Sequence, residues 1–182
     1  MIRRFGEPAE TGRRYARRPG VYAILLRGDH ILATHQAEPV PELQLPGGGI
    51  DRGEHPVPAL HREVFEETGW KIAVTRRLGA FRRFTYMPEY DLWAEKLCAV
   101  YLAVPVRRHG PPSEAGHRAI WLPRHEAVAR LGNPGDRAML ASLFGQQVED
   151  QRRDVIGKGV ASRLLRQIPH QRLEQRGPGQ MR

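Results

Sequence analysis

The chain has 182 residues, which is enough for one domain of ordinary size with some sequence left over. Its apolar content of 40% and mean hydropathy of −0.54 are typical of a globular protein in water, and no apolar run reaches the roughly 18 residues that a membrane helix requires. The net charge of +9 lies mostly at the ends, because residues 1–20 and 149–182 carry +4 each and leave about +1 for the middle. This distribution argues against a uniformly basic nucleic-acid-binding domain.

The two basic ends are predicted to lie outside the folded domain. We expect a basic N-terminal arm over 1–18, a folded domain over 19–146, and a basic, disordered tail over 147–182 that is rich in Gln, Arg, Gly and Pro. Solvated ends are the preferred interpretation, and RNA binding through them is the alternative. Because no apolar run follows the first arginines, we expect no secretory signal, cytoplasmic residence and no membrane partner. A monomer and a homodimer both remain open.

The folded domain opens with a predicted β-hairpin. Two apolar runs, 21–27 and 31–35, are separated by Gly28 and Asp29, which is the pattern of two strands joined by a tight turn. A short apolar segment at 43–45 predicts a further strand on the far side of a proline-punctuated stretch. The chain therefore begins as a small antiparallel sheet.

A glycine-rich loop and a helix follow these strands. The loop is Pro-Gly-Gly-Gly at 46–49, where a backbone without side chains can approach a ligand closely. The segment 56–68 has no helix breaker beyond its first turn, in which Pro56 and Pro58 are tolerated because the first turn has no intrahelical donors to lose. Gly69 supplies a C-terminal stop. The sequence therefore predicts a helix over 56–68.

Strands and two short helices are predicted in the rest of the domain. The strands are expected at 72–74, 80–86, 97–106 and 119–122. Apolar spacing favours helices over 123–131 and 134–144, the second of which begins with Asn133 as cap and Pro134 as first residue. Cys98 lies in the longest apolar run and is the only cysteine, so no intrachain disulfide is possible and a buried, inert thiol is expected.

The helix over 56–68 carries a cluster of three carboxylates on one face. At 100° per residue, Glu63, Glu66 and Glu67 fall within an arc of about 100°. Like charges at this spacing repel by a few tenths of a kcal/mol each, and only Arg62 is close enough in sequence to relieve them. A bound cation would relieve them better, and Mg²⁺ prefers such oxygen ligands. The alternative is an ordinary solvated helix face.

The residues around this cluster resemble the signature of the Nudix family, GX5EX7REUXEEXGU. All nine fixed positions are matched, by Gly48, Glu54, Arg62, Glu63, Val64, Glu66, Glu67, Gly69 and Trp70. Trp70 is bulkier than the aliphatic residue that is usual at the last position. The resemblance implies an α/β fold, a Nudix-type α/β/α sandwich with a mixed central sheet, in which the 19–146 segment is the Nudix hydrolase domain. It also implies Mg²⁺ or Mn²⁺ bound by Glu63, Glu66, Glu67 and the carbonyl of Gly47 or Gly48.

By the same similarity, Arg62 holds the helix carboxylates in position and Glu54 orients Arg62 or supports the loop, with Gly69 structural. The family differs over which carboxylate is the base that activates water. Here Glu63 is one candidate and Glu114, in the loop 107–116, is the other. Weaker candidates are Glu89, Asp91 and Glu95.

The substrate-binding residues are predicted on strands that should line a phosphate cleft. Arg82, Arg83 and Lys96 could bind phosphate oxygens, and surface charge is the alternative role for them. Asn133 occupies a place where MutT-like enzymes that read oxidised guanine present an asparagine to the base. Helix capping explains Asn133 equally well on local grounds, and we prefer that role.

The resemblance implies a Nudix pyrophosphohydrolase that cleaves a nucleoside diphosphate linked to another group. The preferred substrate is a nucleoside triphosphate, hydrolysed by metal-activated water as in MutT-like enzymes. The alternatives are an RNA 5′-pyrophosphohydrolase and a hydrolase of ADP-ribose or dinucleoside polyphosphates. An alternative from another functional class is a regulator that senses nucleotides without cleaving them. The intact signature glutamates argue against this alternative.

Overall fold

A computed structural model describes residues 2–37 and 41–146 of the chain. Eight strands and three helices follow one another along it. The strands are β1 (Arg3–Arg4), β2 (Ala16–Arg27), β3 (His30–Gln36), β4 (Glu42–Gln44), β5 (Gly47–Gly49), β6 (Trp70–Met87), β7 (Leu92–Arg108) and β8 (His117–Pro123). The helices are α1 (Pro56–Thr68), α2 (Arg124–Arg130) and α3 (134–146), and a single 3₁₀ turn, Pro88–Tyr90, joins β6 to β7.

All eight strands belong to one mixed sheet. Its order is β1-β6-β7-β2-β3-β4, with β5 paired to β2 and β8 paired to β3. The β1–β6 and β2–β7 pairs are parallel, whereas the other pairs are antiparallel. The long central pairing of β2 with β7 aligns ten residues of each strand, from Ala16 opposite Ala94 to Leu25 opposite Ala103. This pairing anchors the elements that surround the acidic cluster.

The two faces of the sheet are covered by different helices, because successive side chains of a strand point to opposite sides. Val21, Ala23 and Leu25 of β2 form one core with Leu60 and Val64 of α1. On the opposite face Tyr22 and Ile24 pack with apolar residues of α2 and α3, namely Ala127, Leu140 and Leu143. The α/β/α sandwich with a mixed sheet, expected from the sequence, is thereby confirmed.

Most predicted elements are present with close boundaries. The hairpin at Gly28 and the helix over 56–68 are both observed, and Gly69 ends that helix in the left-handed conformation with φ of 71°. The strands predicted at 72–74 and 80–86 are parts of one strand, β6. Register shifts against β7 between Val74 and Arg76 and between Arg77 and Gly79 explain why its apolar pattern is interrupted.

The N-terminal segment is not a separate arm in this structure. Arg3 and Arg4 pair with β6, Phe5 packs edge-on against Phe81 with ring centroids 5.8 Å apart, and β2 already begins at Ala16. The boundary predicted between residues 18 and 19 therefore falls inside a strand, because backbone pairing with β7 overrides the local excess of arginine. The tail predicted over 147–182 lies outside the described residues. Within 2–37 and 41–146, no helix is long and apolar enough to cross a membrane.

Candidate active site

The glycine-rich loop brings the backbone against two glutamates of α1. Gly47 has φ of 140° and donates its N–H to Glu67 Oε2 at 2.9 Å. A Cβ at Gly47 would lie 2.1 Å from the carbonyl oxygen of Val21, and one at Gly48 would lie 2.3 Å from Glu63 Oε2. Glycine is therefore required at both positions, because any side chain would displace either the paired strand or the carboxylate.

Arg62 holds the carboxylates of the signature in fixed positions. Its Nε and Nη2 donate to the two oxygens of Glu54 at 3.0 and 2.7 Å, and Nη1 donates to Glu63 at 2.8 Å and to Glu66 at 3.2 Å. Nη2 also donates to the carbonyl oxygen of Gly49 at 3.1 Å. The bidentate contact lowers the pKa of Glu54 and raises that of Arg62. The geometry thus agrees with the roles that the resemblance implies for Arg62 and Glu54.

Two of the signature glutamates are shielded from solvent, Glu67 almost fully and Glu63 in part. Burial raises the pKa of Glu67 well above its usual value, against the opposing hydrogen bond from Gly47, and the nearby Glu114 and Glu63 raise it further. Burial also raises the pKa of Glu63, and Arg62 opposes that shift. Buried carboxylates with raised pKa values are destabilised when ionised, so a cation between them would be strongly favoured.

The loop before β8 is attached to the C-terminal turn of α1. The carbonyl oxygen of Glu66 accepts the N–H groups of Ser113 and Glu114 at 2.8 and 3.0 Å, and the carbonyl oxygen of Gly69 accepts the N–H of His109 at 2.9 Å. These bonds satisfy carbonyls that the end of a helix leaves without intrahelical partners. As a result, Glu114 is positioned beside the signature glutamates although it lies far from them in sequence.

A compact set of potential metal ligands results. Single donor atoms of Glu67, Glu114 and His117 all lie within 4.8 Å of one another. The chemistry of this set suits a divalent metal ion, since Glu63 adds a further carboxylate and the loop glycines leave room at the backbone. Glu66 is turned to Arg62, and a ligand role for it, like that for the backbone of Gly48, stays a prediction.

The acidic set opens into a large cleft with a volume of about 1000 Å³. Glu63, Glu67, Glu114 and His117 line it together with the glycine-rich loop. Arg83 and Lys96 line it as well. Burial and the neighbouring Arg83 lower the pKa of Lys96, and Arg83 Nε is buried with no hydrogen-bond partner among the described residues.

Two predicted substrate residues have other surroundings. Arg82 immediately precedes Arg83 on β6, and adjacent side chains of a strand point to opposite faces of the sheet. The Arg82 side chain therefore lies on the other face, 3.5 Å from Glu95 and beside a smaller cavity. Asn133 is buried, and its Oδ1 accepts the N–H of Gly135 at 2.8 Å, which makes it the N-cap of α3. The structure therefore does not bring Arg82 into the large cleft, and it gives Asn133 a capping contact.

Sequence reasoning missed several residues that line the cleft, among them His117, Arg17 and Arg18. His117 stands three positions after Glu114 and opens β8, and that short spacing is the signal that could have found it. Arg17 and Arg18 were assigned to a solvated arm, but both line the cleft because β2 carries them past the glycine-rich loop. No local signal distinguishes them from the other arginines of the N-terminal segment.

A family model described as the NUDIX domain matches residues 16–143. This chain belongs to the Nudix family. The curated relatives include an 8-oxo-(d)GTP phosphatase of Mycolicibacterium smegmatis, 32% identical over 123 residues that make up 67% of this chain and 36% of the relative. A putative 8-oxo-dGTP diphosphatase of Bacillus subtilis is 32% identical over 74 residues, which cover 41% of this chain and 50% of the relative.

RNA pyrophosphohydrolases are similar to the Nudix domain over a shorter stretch. That of Cereibacter sphaeroides is 44% identical over 54 residues, or 29% of this chain and 33% of the relative. The chain thus spans half or less of the length of these curated Nudix relatives. Their names are those of hydrolases acting on nucleotides or RNA, which supports the enzyme class predicted from the signature.

Solved structures of Nudix proteins share the fold. A NUDIX hydrolase from Nitrosomonas europaea superposes with a TM-score of 0.61 and 20% identity, covering 72% of this chain and 90% of that one. A MutT protein from Methanosarcina mazei gives a TM-score of 0.59 and 18% identity over 73% of this chain and 96% of its own. These likenesses confirm the Nudix architecture of the described domain.

Proposed function

We propose that this Nudix protein hydrolyses nucleoside triphosphates to a nucleoside monophosphate and pyrophosphate. The observation that carries the proposal is the cluster of signature glutamates, fixed by Arg62 and completed by Glu114, at the side of a cleft that also contains Arg83 and Lys96. A polyphosphate substrate needs both carboxylates that can hold cations and cationic side chains that can hold anions, and Arg83 and Lys96 are partly buried cations. A cleft of about 1000 Å³ is large enough for a nucleotide.

The metal-binding residues in this proposal are Glu63, Glu67 and Glu114, with Glu66 and the backbone of Gly48 as further candidates. A divalent ion, Mg²⁺ or Mn²⁺, would neutralise charge on the phosphate oxygens and would lower the pKa of a coordinated water. Arg62 keeps the glutamates at the spacing that such an ion requires. The bidentate pair with Glu54 in turn prevents the guanidinium from rotating away.

The remaining residues act on the substrate and the attacking water. Oxygen of water forms a bond to phosphorus, the anhydride P–O bond breaks, pyrophosphate leaves, and a carboxylate accepts the proton of the water. Glu63 and Glu114 are the candidate bases, since both line the cleft beside Glu67. Arg83 and Lys96 would bind the phosphate chain, because two desolvated cations side by side repel one another until an anion lies between them.

The relatives support a mononucleotide substrate. Two that are named for 8-oxo-dGTP or 8-oxo-(d)GTP hydrolysis match this chain over 74 and 123 residues, whereas the RNA pyrophosphohydrolase of Cereibacter sphaeroides matches over 54. The long match includes strands outside the signature, which is where substrate specificity in such folds resides. We therefore rank nucleoside triphosphates ahead of the other substrates that the resemblance allows.

RNA 5′ ends are the second candidate, and a surface that includes Arg18, Tyr86 and Tyr90 of the cleft lining favours them. Arginines alternate with aromatic rings beside the cleft: Arg13 lies 3.7 Å from the centroid of the Trp93 ring, and Arg18 lies 4.6 Å from that of Tyr90. Tyr86 packs on Trp93 with centroids 5.3 Å apart and is 41% exposed. Basic groups interleaved with aromatic rings are typical of surfaces that bind single-stranded nucleic acid.

The deciding experiment measures hydrolysis of a substrate panel with Mg²⁺ or Mn²⁺ and identifies the products. The panel contains the four deoxynucleoside triphosphates, 8-oxo-dGTP, ADP-ribose, a dinucleoside polyphosphate and a 5′-triphosphorylated RNA. We expect the highest kcat/KM on a nucleoside triphosphate, with pyrophosphate as product. Preference for the RNA would support the second candidate, and binding of nucleotides without turnover of any of them would support a non-catalytic sensor.

Two variants test the assignment of the acidic site. Glu67→Gln and Glu63→Gln keep the shape of each side chain and remove an anionic oxygen, so kcat should fall at least about 10²-fold while the fold is retained. Glu126→Gln is a matched control, because Glu126 pairs only with the exposed Arg130 on α2. Near-normal turnover in both site variants, or in the presence of EDTA, would overturn the assignment.

A further inference from the structure

His117 is an enclosed imidazole whose contacts within the protein are incomplete. Its side chain is 5% exposed, and its Nδ1 is buried without a hydrogen-bond partner among the described residues. Such an orphaned polar atom costs about 1–3 kcal/mol unless something else satisfies it. The residue is the first of β8, and pairing with Gln36 of β3 fixes its backbone. The imidazole is thus held at the cleft rather than free to turn out to solvent.

The imidazole lies between two carboxylates of the acidic set. Its Nε2 is 3.4 Å from Glu67 Oε1 and its Nδ1 is 3.8 Å from Glu114 Oε1. Both separations exceed the 2.7–3.2 Å of a good N–H···O hydrogen bond. Ligands of an octahedral ion with bonds of roughly 2.1 Å are about 3 to 4 Å apart. Only one of the two ring nitrogens can bind a given ion, and one nitrogen of His117 lies within 4.8 Å of donor oxygens of both Glu67 and Glu114, which is close to that spacing.

The donor set differs from a purely acidic one. Oxygen ligands alone suit Mg²⁺, Ca²⁺ and Mn²⁺, whereas an imidazole nitrogen is typical of transition-metal sites. Of Mg²⁺ and Mn²⁺ only the second is a transition-metal ion, so an added nitrogen ligand favours Mn²⁺ over Mg²⁺. The signature helix provides only carboxylates, and the nitrogen comes from a different element that the loop 109–116 brings to α1. The choice between metal ions at this donor set is therefore determined by a residue outside the signature.

We propose that His117 is a nitrogen ligand to a divalent ion that it shares with Glu67 and Glu114, and that this ligand shifts the metal preference of the site from Mg²⁺ towards Mn²⁺. The inference rests on the metal site of the proposed function but on no particular substrate. It assigns His117 a role in metal selection, separate from the positioning of the helix glutamates by Arg62.

The test is pulsed EPR on the protein with one equivalent of Mn²⁺ and no nucleotide. Wild type should show electron spin echo modulation from a coordinated imidazole ¹⁴N, and labelling the histidines with ¹⁵N should change that modulation. In His117→Gln the nitrogen modulation should vanish, with Mn²⁺ affinity lowered at least about tenfold. Mg²⁺ affinity, measured by competition, should change less than about threefold, because Mg²⁺ takes its ligands from oxygen.

His109→Gln is the matched control. His109 lies in the same loop, is exposed, and packs against Phe65 with ring centroids 5.8 Å apart, away from the donor set. This variant should keep the nitrogen modulation and the Mn²⁺ affinity of wild type. Bound Mn²⁺ without nitrogen modulation in wild type, or with unchanged modulation in His117→Gln, would overturn the role of His117 alone. Absence of Mn²⁺ binding in wild type would overturn the proposed metal site together with it.

Discussion

Arg62 connects the glycine-rich loop to three carboxylates with one planar group. Its five N–H donors form contacts with Glu54, Glu63, Glu66 and the carbonyl oxygen of Gly49, so the guanidinium is satisfied almost entirely within the site. A lysine would keep the positive charge but could not form the fork that grips both oxygens of Glu54. Charge alone therefore does not account for an arginine at this position.

The variant Arg62→Lys should accordingly lose activity while it remains folded. We expect kcat/KM to fall about 10²-fold, because displacement of a catalytic group by about 1 Å is sufficient for such a loss. Steady-state kinetics and a thermal melt measure the two effects. Arg130→Lys is the control, since Arg130 contacts only the exposed Glu126 and should tolerate the change. Equal activity of the two variants would contradict a geometric role for Arg62.

Asp136 makes stability depend on pH. It is buried, and desolvation raises its pKa to about 7 in spite of the nearby Arg83 and a long hydrogen bond of 3.4 Å from the N–H of Leu45. In the unfolded chain an aspartate has a pKa of about 3.9. Between these values the folded state binds more protons than the unfolded state, so the contribution of Asp136 to stability falls as pH rises from about 4 to 7.

Asp136→Asn should remove this dependence. The free energy of unfolding of the variant relative to wild type should increase from pH 5 to pH 8 by about 3 kcal/mol, because this range covers about two pKa units at roughly 1.4 kcal/mol per unit. Urea unfolding at several pH values gives this difference. The same series on Asp29→Asn, which removes an exposed carboxylate paired with Arg124, provides the comparison. A difference that stays constant or falls with pH would contradict a raised pKa for Asp136.

At the scale of elements, the ends of the helices decide where functional groups lie. The C-terminal turn of α1 ends at Gly69, where a Cβ would be 2.1 Å from the carbonyl oxygen of Gly110, and its carbonyl groups hold the loop that carries Glu114. The N-terminus of α3 is held by Asn133, beside Gly135, whose missing Cβ leaves room for the ring of Phe81. Each of these two helix ends therefore combines a local capping residue with a close tertiary contact.

Asn133→Ala distinguishes capping from base recognition. Loss of the cap should cost about 1 kcal/mol of stability and leave the ranking of nucleotide substrates unchanged. A base-reading role would instead depress kcat/KM selectively for dGTP or 8-oxo-dGTP, because the partner of a polar substrate group would be missing. Thermal melts and the substrate panel measure both effects. Asn133→Ser, which restores a capping oxygen, should recover stability.

At the scale of the whole molecule, the core is complete within the described residues. Both hydrophobic clusters are formed by residues between Phe5 and Phe144, and the cleft is lined by residues between Arg17 and His117. The N-terminal segment belongs to this unit, since β1 pairs with β6 and Tyr15 packs on Phe84 with centroids 4.7 Å apart. Removal of residues 1–15 would therefore expose part of the sheet.

A chain ending at Gln146 should fold and hydrolyse mononucleotides as the full chain does, because the described core and cleft are formed by residues up to Phe144. Circular dichroism, a thermal melt and kcat/KM on a nucleoside triphosphate test this expectation. Loss of mononucleotide hydrolysis would show that the predicted boundary after residue 146 is misplaced. Weakening of RNA cleavage alone, with a flatter salt dependence, would favour the RNA substrate and assign RNA contacts to the basic tail.

The sequence by itself determined the elements whose signals are local. The helix over 56–68 was predicted with both ends, because Pro56 and Gly69 act within one turn of the backbone they shape. The glutamates and Arg62 were identified for the same reason, since their spacing on one helix decides their mutual geometry. Family and architecture followed from these residues.

Only the tertiary structure decided which distant residues join them. Strand pairing and loop attachment join segments that are far apart in sequence. They bury Glu67 and bring Glu114 and His117 close to it. They also place Arg83, but not Arg82, in the cleft. Arg17 and Arg18 enter the site for the same reason, through the pairing of β2 with β7. Such contacts form when the chain closes long loops, so the local signals for them, such as the spacing of Glu114 and His117, are weak.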